Sequence, residues 1–437
     1  SRDWSLHGYL AGTLVKGSRQ AITNLQENPQ HYFQRPDASR LSVDSSATSM
    51  TGANWRLQLD RQSAEHWTWG TWIGEITPGF AANDIGFNQE SERLDLGGRV
   101  DYKDIQPGPV FRSWNVGLFT YHNFRHALLH ESLSMDHLTR EYKEGTVSLD
   151  GDATFRNNWD LHAGVHFDPQ SMSDTKTRGG PLMVQPGNVS AYLSVGTDPR
   201  NVLSLHPHVQ VEHKLLGNGD RFEASARLTI RPTASVEIQV QPSWQAETSA
   251  SQYVETDEAG GFAPTYGGRY FFGTLHRKQL SMETRLNVAF SPTLSLQLFA
   301  QPLLASGHYG AYRQLAAPES FRFLSFAPGT AVDAGGSLRC VGGGLCRSGG
   351  TVYLDYDGDG TPDFSFDDQD YNVRSLRGNA VLRWEFRPGS ILYFVWQQSR
   401  RGDRSFGNFR LGRELDGLVN APPTNTFIVK ASYFLSF

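Results

Sequence analysis

The chain has 437 residues, a net charge of -5, and acidic and basic residues mixed along its length, which excludes the basic footprint of a nucleic-acid partner. Its apolar fraction is 38% and no run of eighteen apolar residues occurs, so no transmembrane helix is expected. A membrane is not excluded. A barrel strand needs only about 9 to 11 residues with alternate positions apolar, and a mean hydropathy of -0.45 is compatible with that. The chain begins at Ser1 without a charged, apolar leader, as expected if a signal peptide has been removed or a larger protein cut.

In chain order, strand-like segments begin near residues 4, 52, 66, 91, 112, 143, 158, 188, 201, 220, 234, 274, 293, 372, 390 and 425. Short turns rich in Pro and Asx residues separate them at 61–66, 103–110, 156–158, 197–200, 231–234, 291–294 and 387–390. Long polar connections alternate with these turns at 17–50, 77–90, 126–138, 169–188, 247–269, 305–370 and 401–424, with a shorter one at 214–219. The expected fold is therefore all-β: a transmembrane antiparallel β-barrel of about sixteen strands, with long extracellular loops and both termini periplasmic.

Side-chain alternation carries the membrane assignment. Trp159, Leu161, Ala163, Val165 and Phe167 alternate with Asp160, His162, Gly164, His166 and Asp168. Phe222, Ala224, Ala226, Leu228 and Ile230 alternate with Arg221, Glu223, Ser225, Arg227 and Thr229. A soluble core continuous over sixteen such strands would be implausibly large, whereas lipid accepts the apolar face directly. The 10 Trp, 16 Tyr and 26 Phe suit aromatic girdles at two interfaces. The final stretch, Phe427 to Phe437, alternates in the same way and ends on an aromatic. It resembles the signal by which outer-membrane barrels are recognised by the assembly machinery, with Tyr433 and Phe437 as its aromatic positions.

Three further stretches, Pro78 to Phe87, Leu294 to Tyr309 and Asn372 to Arg400, resemble a widespread bacterial family of unassigned function. Its members typically pair an N-terminal carbohydrate-binding-module-like domain with a C-terminal outer-membrane barrel. The resemblance implies an outer-membrane location, with lipid, lipopolysaccharide and other outer-membrane or periplasmic proteins as neighbours. It implies no established activity. Residues 1–437 are expected to form one barrel domain, the family's N-terminal module being absent.

Several constellations bear on function. Arg227, Glu237, Glu283, Arg285, Arg377, Arg383, Glu385 and Arg387 fall on the polar face of strands after residue 220; they would line a hydrated pore or form a salt-bridged wall supporting an inserted loop. His162 and His166 share one inward face, and His206 and His208 another, with Asp160, Asp168 and Glu212 on the same faces. An intervening strand about 4.8 Å wide on each side makes convergence on a metal awkward, which favours polar lumen lining. No Ser–His–acid set can be assembled, so no enzyme is expected. Asp355, Asp357, Asp359 and Asp363 in DYDGDGTPD match the first part of a calcium loop, or else form a solvated acidic tip; the twelfth position is Phe366 rather than Glu. Cys340 and Cys346, six apart in a Gly-rich stretch, suit a disulfide. Together these features favour a channel or transporter for small polar solutes. The alternative is a plugged barrel that anchors an assembly or secretion complex.

Overall fold

The computed structural model describes residues 3–38, 40–83, 86, 90–130 and 134–435. Its main sheet contains sixteen long strands, each antiparallel to the next in sequence. They are β1 Trp4–Lys16, β2 Ser49–Arg61, β3 Trp67–Ile76, β4 Arg93–Asp104, β5 Phe111–Phe124, β6 Tyr142–Phe155, β7 Asp160–Asp168 and β8 Asn188–Gly196. There follow β9 Leu203–Lys214, β10 Gly219–Thr233, β11 Val236–Phe262, β12 Gly267–Ser291, β13 Leu294–Leu315, β14 Tyr371–Arg387, β15 Ser390–Arg404 and β16 Pro423–Ser432. This is the transmembrane antiparallel β-barrel expected from the alternation. No helix among the described residues is long and apolar enough to cross a membrane.

The short turns gather at one end, where β1 starts and β16 finishes, and the long connections at the other. Leu57, Val100, Leu118, Leu149, Val165, Leu193, Val209, Phe222, Trp384 and Phe394 are exposed on the outward face. Contiguous apolar surface on this scale is foreign to a water-soluble monomer, and hydrocarbon is its natural solvent. The opposite parity carries the charged residues into the lumen. Among the described residues β1 pairs only with β2 and β16 only with β15, so these two strands are the edges of the sheet. Every residue of β16 is exposed. Of the two aromatic positions expected in the terminal signal, Tyr433 accepts from Arg387 Nη1 through its hydroxyl oxygen, 2.8 Å away, and Phe437 lies outside the described residues.

Two expected loops prove to be ordered. Residues 247–269 continue β11 and β12 as a long hairpin closed at Ala263–Thr265; three register shifts in it break the alternation that would have revealed it. The 401–424 connection carries the helix α3, Leu411–Val419. Two further helices, α1 Arg19–Glu27 and α2 Met135–Glu141, lie in the loops over the N-terminal half of the mouth.

Candidate functional site

The loops over β1 to β8 fold into one cap, and a buried carboxylate sits at its centre. Asp174, in the loop between β7 and β8, lies 2.9 Å from Lys143 Nζ, 3.5 Å from Arg125 Nε and 3.8 Å from Arg35 Nη1. Arg125 also lies 3.7 Å from Glu141, and Lys143 3.4 Å from Glu90. Arg35, Arg125, Lys143, Glu141, Glu92 and Asp174 are all buried. Burial opposes ionisation of Asp174, yet Lys143, Arg125 and Arg35 hold its carboxyl well below the usual range. Glu92 is pushed the other way, burial raising its pKa against the pull of Arg35 and Lys143. The cations therefore come from three segments and close on one acid.

Local sequence explains how these groups arrive. The β5–β6 pairing slips by one residue, Asn123 facing Glu144 and Phe124 facing Tyr142, and the extra residue is Lys143. A bulge of this kind re-aims a side chain. Asp37 accepts the Leu182 N–H at 2.5 Å, and Arg140 Nε donates to Glu319 Oε1 at 2.9 Å, so the loops that follow β1, β5, β7 and β13 interlock. His31 Nδ1 is 2.9 Å from the Pro78 carbonyl and 2.8 Å from Ser91 Oγ. The carbonyl can only accept, so Nδ1 carries the proton. Nε2 is then a buried lone pair without a partner among the described residues.

Beneath the cap, two cavities share Tyr121 and Glu144. One, of about 310 Å³, is lined by Glu90, Lys143, Asp168, Ser171, Asp174 and Lys176 among others. The other, of about 490 Å³, is lined by Arg56, Gln58, Trp72, Arg93, Arg99 and Phe119 among others. Trp72 donates Nε1–H to Asp95 Oδ1 at 3.0 Å, and Arg56 stacks 4.7 Å above its ring. These lumen aromatics were not anticipated, since aromatics were assigned to the girdles. The available signal was parity: Trp72 falls off the register of Trp67, Trp69 and Ile73.

On the opposite wall the anticipated charges pair at short range, within a strand or with the next one. Glu283 and Arg285 are 2.7 Å apart, Arg383 and Glu385 2.9 Å, and Glu237 pairs with Arg231 at 2.7 Å. Arg227 donates to Gln241 at 3.0 Å. Arg377 lines a separate cavity of about 410 Å³ with Gln279, Ser281, Gln301, Ser375 and Ser399. Two of these pairs, Glu283–Arg285 and Arg383–Glu385, are two residues apart, the spacing that alternation puts on one face, while Arg231–Glu237 and Arg227–Gln241 bridge neighbouring strands.

The histidines converge more than expected. Asp160 Oδ2 lies 3.3 Å from His162 Nε2 and 3.6 Å from His206 Nδ1. The residue between them on β8 is Gly196, paired with Asp160, and a Cβ there would collide with the Asp160 carboxylate. A missing side chain lets the groups meet across the intervening strand. His166 reaches Asp150 at 2.9 Å, and Ser194 Oγ is 2.7 Å from His208 Nδ1. Asp168 hydrogen-bonds Asn188 at 2.8 Å, and Glu212 lies across from Ser190 in register.

With this geometry in hand, comparison with known proteins gives one decisive match. A family described as "Domain of unknown function (DUF5916)" matches residues 15–320 and 348–437. The chain belongs to that family. No curated protein matches it. Among solved structures it is similar to a point mutant of the ferric enterobactin receptor PfeA of Pseudomonas aeruginosa, at 10% identity over 100% of this chain and 68% of that one, with a TM-score of 0.37. It is also similar to the siderophore receptor PirA of Acinetobacter baumannii, at 10% identity over 88% of this chain and 64% of that one, with a TM-score of 0.34. Nothing about ligand or activity passes from those receptors to this chain at such levels.

The internal stretch of this DUF5916 barrel between the two matched segments, 321–347, contains the Cys340–Cys346 disulfide, with Cα atoms 5.5 Å apart. The surrounding loop forms short hairpins at 330–341 and 345–367. Its Val352, Leu354 and Phe366 pack with Val254, Phe271 and Tyr312 of the extended β11–β13 strands. Carboxylate oxygens of Asp355, Asp357 and Asp363 lie within 4.8 Å of one another, while Asp359 turns aside to accept the Thr361 N–H at 2.6 Å. Asp355 is buried and accepts N–H bonds from Gly358 and Gly360, each at 2.7 Å. Gly360 has φ +85°, the conformation a sharp turn at the sixth loop position demands.

Proposed function

We propose that this DUF5916 barrel is a conduit in the bacterial outer membrane that passes small polar solutes, with the Asp174 cap as its gate, and that it is not an enzyme. The observation that carries this reading is the pair of charge-lined cavities sharing Tyr121 and Glu144 beneath a cap with a buried ionic cluster at its centre. Arg and carboxylate groups already paired with one another can exchange partners with a solute's polar groups at little net cost. The Trp72, Phe119 and Tyr121 rings offer flat apolar faces beside them. Osmotic swelling of proteoliposomes tests this: small neutral polar solutes should enter, and Trp72→Ala with Arg56→Gln should change their rate more than Gln301→Ala. Swelling no faster than protein-free vesicles, with folded barrel present, would leave the anchoring role as the better account.

Its neighbours in that setting are outer-membrane lipid and lipopolysaccharide, and its insertion would use the barrel assembly machinery acting on the terminal strand. The external unit we assign as a Ca²⁺ site through Asp355, Asp357 and Asp363. Hard cations take convergent carboxylates, and here the ion would order the loop rather than act on a solute.

A further inference from the structure

We infer that α3 lies in the outer-leaflet interface of the membrane, as a lipid-contacting helix strapped to the outside of the barrel. Beneath it, polar residues stand on the face that should be apolar. Along β14 the outward parity runs from Phe386 and Trp384 through Leu382, Ala380 and Leu376 to Arg374 and Asn372. Along β13 it runs through Leu304 to Ser306, paired with Arg374 and Asn372 in turn. Ser306, Asn372 and Arg374 would be costly in hydrocarbon. They are instead buried, at 1%, 1% and 8% exposure.

The 405–421 segment covers them. Arg374 Nε donates to Glu414 Oε2 at 2.7 Å, and Arg413 Nε donates to Glu414 Oε1 at 3.0 Å. Burial works against Glu414, but the hydrogen bonds from Arg413 and Arg374 keep its carboxyl below the usual range. Arg400, on the outward parity of β15, donates to the Ala421 carbonyl at 3.3 Å. Phe409 meets Trp244 of β11 edge-on, ring centroids 5.4 Å apart. The strap therefore crosses the outer surface from β15 to β11.

Its own outer face then takes over the role of the strands it hides. Glu414 and Leu418 point inward, fully buried or nearly so, while Leu411, Leu415 and Val419 stand exposed. These three are spaced by four and share one helix face. A narrow apolar stripe on a short helix suits the headgroup and acyl boundary. The height agrees: the roughly 40 Å of strand from Phe386 to Arg374, tilted by about 45°, rises about 28 Å, against an apolar band of about 25 Å.

This inference rests on the outer-membrane reading, so the test separates the two. The described residues include no free cysteine, which allows single labelling at Leu415→Cys, Val419→Cys, Leu149→Cys on the lipid face of β6, and Glu255→Cys on the external hairpin. Each variant, shown folded by heat-modifiable gel mobility, is reconstituted into phospholipid vesicles carrying shallow or deep acyl-chain quenchers. We expect the 415 and 419 labels to lose emission to the shallow quencher and resist aqueous iodide, the 149 label to lose it to the deep quencher, and the 255 label to lose it to iodide alone. Iodide quenching at 415 and 419 matching that at 255 would overturn the inference while leaving the barrel intact. Protection there from both quenchers, as in a protein interface or a second copy, would overturn it equally. Failure of lipid to quench position 149 would overturn both readings.

Discussion

Lys143 Nζ stands 2.9 Å from Asp174 Oδ2, joining a bulge at the top of the barrel wall to a loop that crosses the mouth. Both groups are buried, and two guanidiniums close on the same carboxylate. Removing one partner of a buried pair leaves the other charged and uncompensated, at a cost of about 3 to 5 kcal/mol. Asp174→Asn should therefore free the cap while the wall stays folded. Amide exchange should rise in residues 31–38, 125–130 and 171–185 and stay slow in β12 to β15. Unchanged exchange in the cap segments would remove Asp174 as its keystone.

The cap should also respond to mild acid. Burial lowers the His31 pKa beneath its ordinary 6.5, so the neutral form is favoured when folded. A lowered folded-state value contributes stability above the unfolded pKa and loses it as pH falls through the folded one. The physical cost is a second proton on Nε2, which has no acceptor among the described residues. Loop opening should increase between about pH 6.5 and lower values, and His31→Gln should flatten that dependence. The depressed carboxyl of Asp174 adds a second, more acidic loss, below the ordinary carboxylate range. A cap equally closed at pH 5 and pH 7.5 would contradict the first of these.

On the C-terminal wall, replacing Arg227, Arg285 and Arg383 with Gln should shift the reversal potential toward cation selectivity. Glu283 and Glu385 would lose the cations that now pair with them at 2.7 and 2.9 Å and present free negative charge to the lumen. An unmoved or anion-ward potential would argue that this wall lies off the conduction path.

For the external unit, isothermal titration should show Ca²⁺ binding that Asp357→Ala and Asp363→Ala abolish and Asp359→Ala reduces less. Asp359 stands apart from the other three carboxylates' meeting point. Equal loss at all three positions, or no heat in the parent protein, would contradict that assignment.

Much of the barrel was readable because its rule is local. Alternation of period two, broken by Pro and Asx turns, places a strand wherever it occurs, and β8 and β15 begin at the expected residues 188 and 390. The cap was not readable, because Arg35, Arg125 and Asp174 come from loops without periodicity and meet only through tertiary folding. Lys143 was hidden by a one-residue bulge that no alternation reveals. The histidines were read as separated by a strand, and the deciding residue, Gly196, matters only for the side chain it lacks. Leu411, Leu415 and Val419 do carry a helical spacing, but in a connection expected to be loop.

Single-channel recording in a planar bilayer tests the central claim most directly, with the parent protein and the Asp174→Asn, Lys143→Met double variant compared at pH 7.5. Brief, mostly closed behaviour is expected in the parent and sustained openings of higher conductance in the variant, since the ionic cluster holds the cap over the lumen. A silent variant, shown by heat-modifiable mobility to be folded and inserted, would contradict that claim.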